Sequence, residues 1–212
     1  MKKFLDDLKS TSKEIKRLPE KLGPFGLQCV RDNYKHGQFK PNAPLTKQTK
    51  NQGAHPLFDT GETYASLTYS ADEKGYRVGT NKEHAALIND GGTVKAKQAQ
   101  QLIIPINKQV KRKVEAYGVK KTISMLEKNG WRIIWRPHSV VGRAPPGAKG
   151  FGQRIKTRRN RNSKKQDRGV FYTIFIRTPQ VKVPSRQFMY LSDEQQKEQR
   201  DMAEQLLKEV IK

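Results

Sequence analysis

Acidic residues are scarce where basic ones crowd. From Val94 to Arg168 the sequence holds 21 Lys/Arg against three acids, Glu115, Glu127 and Asp167; this balance of +18 leaves only +5 of the chain's net +23 for everything else. So few carboxylates argue against two-metal nuclease chemistry there, because such sites surround their cations with several of them. Cysteine is nearly absent. Cys29 stands alone, which excludes an internal disulfide, provides no Cys-based zinc site and fits a reducing compartment. It has neither a paired histidine motif nor a basic microenvironment in its neighbourhood, so a nucleophilic role has no support. No apolar run approaches the length of about 18 residues that spans a bilayer, and MKKFLDDLKS has no uninterrupted apolar segment of the signal-peptide kind, so the cytoplasm is the expected place of synthesis. Apolar residues make up 34% of the 212, below the usual share of about 45–50%. Much of the chain is therefore surface, arm or interface, and a fully compact monomer is not expected.

What is present begins with Gly169–Ser192. Val170–Ile176 is a run of β-branched and aromatic residues with apolar side chains on both faces, the pattern of a strand buried on two sides. Gln180–Val183 resumes the extended alternation until Pro184 stops it. Ser192 and Gln195 then have capping-box spacing, opening a last helix with Met202, Ala203, Leu206, Leu207 and Val210 on one face and Glu204/Lys208 as an exposed pair. Upstream, residues 2–18 read as an amphipathic helix closed by Pro19, and Pro24 opens a second that runs to Gly37. Phe39–Gly61 reads as a long irregular connection. Asp59 and Thr60 offer caps for a short helix, residues 68–79 a hairpin about a turn at 71–75, and Asn81 a cap for a helix that Gly91-Gly92 ends. Leu102–Ile106 and Trp131–Trp135 read as strands, Val110–Lys128 as helical but divided at Gly118, and 143–168 as a mobile basic arm. The expected organisation is one domain, 1–212, with a basic insertion at 93–168.

Catalytic patterns are thin. His36, His55, His84 and His138 share no metal-ligand spacing, and His84, on an apolar helix face, is expected to be structural. Gly147–Gly152 lacks both the preceding strand and the Gly-Lys-Ser/Thr ending of a phosphate cradle. No enzyme, metal or cofactor is expected. In the arm, Arg154, Lys156, Arg158, Arg159, Arg161, Lys164 and Lys165 are placed to neutralise phosphates, with Phe151 as the one interleaved aromatic. That composition suits a sequence-independent electrostatic contact, to nucleic acid or equally to an acidic protein surface.

Five blocks occur in a telling order: Pro44-Leu45-Thr46 with Thr49-Lys50; Pro56-Leu57 to Thr60-Gly61 with Ser66; Val78-Gly79-Thr80; His84-Ala85 with Ile88 and Gly91-Gly92; and Val183-Pro184-Ser185-Arg186-Gln187-Phe188 ahead of Leu191-Ser192. Together they resemble the virion morphogenesis or tail completion family of Mu-like tailed phages, proteins of the head-to-tail junction. The resemblance covers about residues 39–92 and 169–212. Where the family usually has Trp, Leu, Tyr and His-Gln, this chain has Phe39, Tyr64, His84 and Asn89-Asp90. The resemblance implies an α+β subunit, with terminal helices against a curved, mainly antiparallel sheet. It also implies a homo-oligomeric ring, expected to be a hexamer, that caps the tail and joins it to the head connector. Tail-tube and connector proteins would then be its partners, the virion its destination, and double-stranded DNA in the lumen or an acidic protein the target of the arm; no membrane is involved. Leu57, Thr60, Gly61, Gly79, His84, Gly91, Gly92, Pro184, Arg186 and Phe188 would form the fold and assembly motif. Arg186 is open to two readings, a salt bridge at the strand-to-helix turn or a side chain in solvent. The alternative function is a non-enzymatic nucleic-acid-binding protein acting through its arm.

Overall fold

The computed structural model describes residues 11–51, 53–97, 99–156 and 170–211. In chain order, residues 11–16 are helical (α1), followed by α2 (Leu18–His36), α3 (Pro44–Thr49), α4 (Glu62–Ala65), β1 (Thr68–Asp72), β2 (Gly75–Gly79), α5 (His84–Asp90) and β3 (Gly92–Lys95). Then come β4 (Leu102–Pro105), α6 (Lys108–Lys128), β5 (Arg132–Trp135), β6 (Ser139–Arg143), β7 (Gln153–Arg154), β8 (Phe171–Thr178), β9 (Gln180–Val183) and α7 (Asp193–Ile211). The class is α+β with antiparallel pairing, and helices near both ends of the chain flank a sheet. No helix among the described residues is long and apolar enough to cross a membrane.

The chain divides into two compact units. Unit 1 takes residues 1–40, 55–92 and 183–212; unit 2 takes 41–54 and 93–182. In unit 1, α2 lies on the β1–β2 hairpin and on α7. Gly23 and Gly26, one helical turn apart on α2, leave room for the rings of Tyr69 and Tyr76, which a Cβ at either position would overlap. The hairpin turns over Glu73-Lys74, with the Asp72 carboxylate accepting from the N–H groups of Lys74 (2.8 Å) and Gly75 (3.0 Å). Local chemistry sets the start of α7: the Ser192 N–H donates to Gln195 Oε1 (2.9 Å) and the Gln195 N–H to Ser192 Oγ (3.2 Å), a reciprocal capping box. The prolines act otherwise than expected. The first helix breaks at Arg17, Pro19 sits in the first turn of α2, and Pro24 lies inside α2 instead of opening a new helix.

Unit 2 holds the larger sheet, in the order β4-β8-β6-β5 with β7 also paired to β8. The strand at 171–178 therefore belongs to the basic insertion and not to the terminal helices, because every strand that pairs with it comes from residues 102–154. Helix α6 covers β4 and β5, and breaks at Gly118 (φ 76°, ψ 165°) as the sequence implies. Val110, Trp131, Val140, Ile174 and Phe175 form the centre of this core. The supposed mobile arm is part of it up to residue 156. Strand β6 ends at Arg143, Ala144 and Phe151 are buried, and β7 is hydrogen-bonded to β8. Residues 157–169, the rest of that stretch, lie outside the described residues. Strands β3 and β9 pair where the chain enters and leaves unit 2.

Candidate functional site

Of the motif residues, Leu57, Gly91 and Arg186 meet in unit 1 at the turn that carries Phe188. That ring is fully buried, with the edge of Tyr34 against it at 4.9 Å, in a cluster with Leu57, Leu67, Ala85 and Val30. Burying a phenyl group stabilises by about 1.5–3 kcal/mol. The Tyr34 hydroxyl donates to the Leu57 carbonyl (2.9 Å), and burial pushes its pKa up. Arg186 points inward, only 8% exposed, and its Nε donates to the Lys40 carbonyl (3.1 Å) while its own N–H donates to Ile88 O (2.9 Å). Burial lowers the guanidinium pKa. The solvent-pointing reading of Arg186 is thereby overturned. At Gly91 (φ 76°) a Cβ would stand 2.6 Å from the Ser185 amide nitrogen, so a side chain is refused on both backbone and packing grounds.

Asn89 is the residue of this knot that sequence reasoning missed. Its Oδ1 accepts from the N–H groups of Phe188 (3.0 Å) and Met189 (3.1 Å), and its carbonyl accepts from Ser185 Oγ (2.7 Å). The one signal was its position, directly before Asp90 and the double glycine, where the family resemblance lapses. The other motif residues do less. Thr60 Oγ1 accepts from the Glu62 N–H (3.4 Å), Gly61 (φ 84°) precedes α4, and Gly79 closes the hairpin opposite Thr68. Exposed His84 hydrogen-bonds Thr63 Oγ1 through Nε2 (2.9 Å), while Gly92 and Pro184 are exposed. Asn81 caps nothing: Glu83 stands at the start of α5 without a side-chain cap bond.

The cationic candidates sit in unit 2. Arg154 and Lys156 are exposed at and just beyond β7; Arg158, Arg159, Arg161, Lys164 and Lys165 lie outside the described residues. Phe151 is 8% exposed and packs in the core, so it offers no stacking surface. Among the described residues of unit 2 the exposed aromatics are instead Trp135, with Arg177 over its ring at 5.5 Å, and Tyr117, with Lys113 and Lys121 at 5.3 and 5.4 Å. The i,i+4 spacing of Lys113 and Tyr117 was a legible sign of the first of these contacts; Lys121 lies beyond the break at Gly118, so its approach to the ring was not. An open groove of about 550 Å³ lies beside β5 and β6, lined by Arg132, Arg143, the turn from Pro145 to Ala148, and Tyr172.

Other chemistry finds little to work with. Among the described residues no group of three or more His, Cys, Asp or Glu is placed to hold a metal ion. Cys29 is buried, and burial, followed by the charges of Glu198 and Asp32, pushes its thiol pKa up, away from the thiolate a nucleophile needs. Compared with known proteins, the chain matches no family model, no curated protein and no solved structure.

Proposed function

We propose that the chain is a non-catalytic structural subunit of the head-to-tail junction of a tailed phage, a tail completion protein that works as a homo-oligomeric ring, with a hexamer expected. Its partners are tail-tube or head-connector proteins, and its cationic unit 2 meets an anionic body, DNA in the lumen or an acidic protein surface. The supporting observation is the knot around Phe188. Blocks about 100 residues apart, which carry the resemblance, come together as one packed turn through Asn89, Gly91 and Arg186. These residues are engaged in holding backbone, which suits a scaffold more than a reaction centre. Helix α7 agrees with this, since Met202, Ala203, Leu206, Leu207 and Val210 are only half-buried in the single chain, as expected where neighbours complete the packing.

The test is sedimentation velocity and electron microscopy of the full chain, alone and mixed with tail-tube and connector subunits. Closed rings that end or bridge these assemblies are the expected result. A protein that stays monomeric in every mixture and is missing from purified virions ends the proposal. The alternative, a nucleic-acid-binding protein that acts without assembling, draws on the charge of unit 2 and predicts tight, salt-sensitive duplex binding by that monomer.

A further inference from the structure

We propose that a cavity in unit 2, between α6 and the stretch at 149–151, receives one aromatic side chain of a partner protein, carried on a segment rich in carboxylates. The proposal deepens the reading above: it rests on that reading for an anionic partner of unit 2, and chooses protein over DNA.

The cavity measures about 220 Å³. Buried Leu126, Trp131 and Phe151 give it an apolar floor, and Gln109, Lys113 and Lys149 stand exposed at its mouth. Size selects the occupant. An apolar cavity of about 150 Å³ takes benzene, whereas sites for drug-sized ligands run to about 300–1,000 Å³. One ring fits here, and little more.

The walls are set before a ligand arrives. Gly150 and Gly152 let the chain lie flat against β8: a Cβ at Gly150 would stand 2.7 Å from the Tyr172 hydroxyl, and one at Gly152 (φ 98°) would overlap the Thr173 carbonyl. Phe151 is thereby held in the core, with Lys149 close by in the chain. On the other wall, buried Thr122 donates to the Gly118 carbonyl (2.8 Å) across the break in α6. The Gln109 side-chain amide donates to the Gly150 carbonyl (3.4 Å) and links the two walls. A preformed pocket loses little ordering entropy on binding. Protein interfaces concentrate their binding energy in such places, where a buried aromatic anchor fills a fitted pocket.

Charge selects what carries the ring. Unit 2 holds 25 Lys/Arg against three acids, and two of those lysines flank this mouth. The Lys113 ammonium lies 5.3 Å from the centre of the Tyr117 ring, a π face that attracts the cation without removing its charge. Carboxylates beside the anchor would meet both lysines, giving attraction during approach and specificity on contact. A base of duplex DNA must first leave its stack and lose its pairing to enter a closed pocket. A side chain on a protein surface has no such cost.

The experiment measures fluorescence anisotropy of three labelled heptapeptides with the full chain: an acidic one with a central Phe, the same with a central Ala, and the Phe peptide with Lys in place of its acids. The acidic Phe peptide is expected to bind about tenfold tighter than the Ala peptide, and the Lys peptide not to bind; equal affinity for Phe and Ala overturns the pocket. Trp131 gives a local readout. In Trp135→Phe it is the one tryptophan left, and its emission is expected to shift with the acidic Phe peptide and not with the Ala peptide; emission indifferent to both overturns the proposal. Lys113→Glu/Lys149→Glu is expected to weaken the acidic Phe peptide several-fold more than Lys95→Glu/Lys182→Glu, an exposed and charge-matched pair on β3 and β9. Equal losses overturn the site. Single-stranded oligothymidylate that shifts Trp131 emission as the acidic Phe peptide does would give the pocket to an unpaired base and overturn the protein partner. Peptide binding is read whether or not the chain assembles: rings without a preference for Phe would sink the pocket alone, and that preference in a chain that never assembles would sink the ring alone.

Discussion

The two units solve the same folding problem with opposite electrostatics. Unit 1 holds 18 Lys/Arg against 17 acids, unit 2 holds 25 against three, so nearly all of the +23 is carried by one of them. In unit 1 cations find carboxylates: Lys21 reaches Glu14 at 3.1 Å and Lys82 reaches Glu62 at 3.0 Å. In unit 2 Lys111 reaches Glu115 at 3.8 Å, and other cations turn to carbonyl oxygens and rings. Lys108 donates to Asn51 O (3.1 Å), Arg177 donates to Arg136 O (2.8 Å) and covers Trp135, and Lys113 and Lys121 flank Tyr117. Carbonyls and π faces offset partial charge without neutralising it. The difference teaches that unit 2 folds while carrying a large net positive charge, and unit 1 does not.

The strongest way to break this comparison is to unfold one unit alone. Phe188→Ala empties a fully buried site and costs about 3–5 kcal/mol. In urea, followed by circular dichroism and Trp fluorescence, the transition of unit 1 is expected to move or vanish while that of unit 2, which holds both tryptophans, stays in place. Equal movement of both signals would show one cooperative body. Salt acts in the other direction. Raising ionic strength from about 0.05 to about 0.5 M shortens the screening length several-fold, so unit 2 gains stability as its self-repulsion is screened, and unit 1 hardly changes. A unit 2 transition insensitive to salt would mean that its charges are already balanced internally.

Smaller effects sharpen the same contrast. Ser192→Ala removes one half of the α7 capping box and costs about 1 kcal/mol, read only in the unit 1 transition; a shift in unit 2 alone would contradict the division. The smallest effect concerns pH. Lys82 holds the Glu62 carboxyl below the usual carboxylate range, chiefly by its hydrogen bond. A carboxylate with a lowered folded pKa adds stability that is complete above its unfolded pKa and is lost as pH falls through the folded value. Acid titration of Lys82→Gln is therefore expected to lack a slight stability loss that the parent protein shows below about pH 4. Identical acid profiles would remove Lys82 as the cause.

Legibility followed sequence distance. The Ser192/Gln195 box, the turn after Asp72, the break at Gly118 and the Glu204/Lys208 pair (4.0 Å) were readable because each joins residues within about four positions. The apolar run at 170–176 was readable as a strand, but its partners were not. The basic tract at 143–156 looked like an arm because its Gly, Pro and charge signals are local, whereas the burial of Ala144 and Phe151 depends on a sheet assembled from distant strands. Asn89 was hidden for the same reason, as its contacts lie about 100 residues away.

The order of residues alone determined where the last helix begins and the hairpin turns, the lone thiol, and the placing of most of the excess positive charge in one stretch, since these depend on composition and short-range hydrogen bonds. Only the tertiary structure decided that this stretch owns the main sheet, that Arg186 faces inward, and that Arg132 stands across from Arg143. Strand register and long-range packing are settled by the total burial of many side chains at once, and no local spacing encodes that sum.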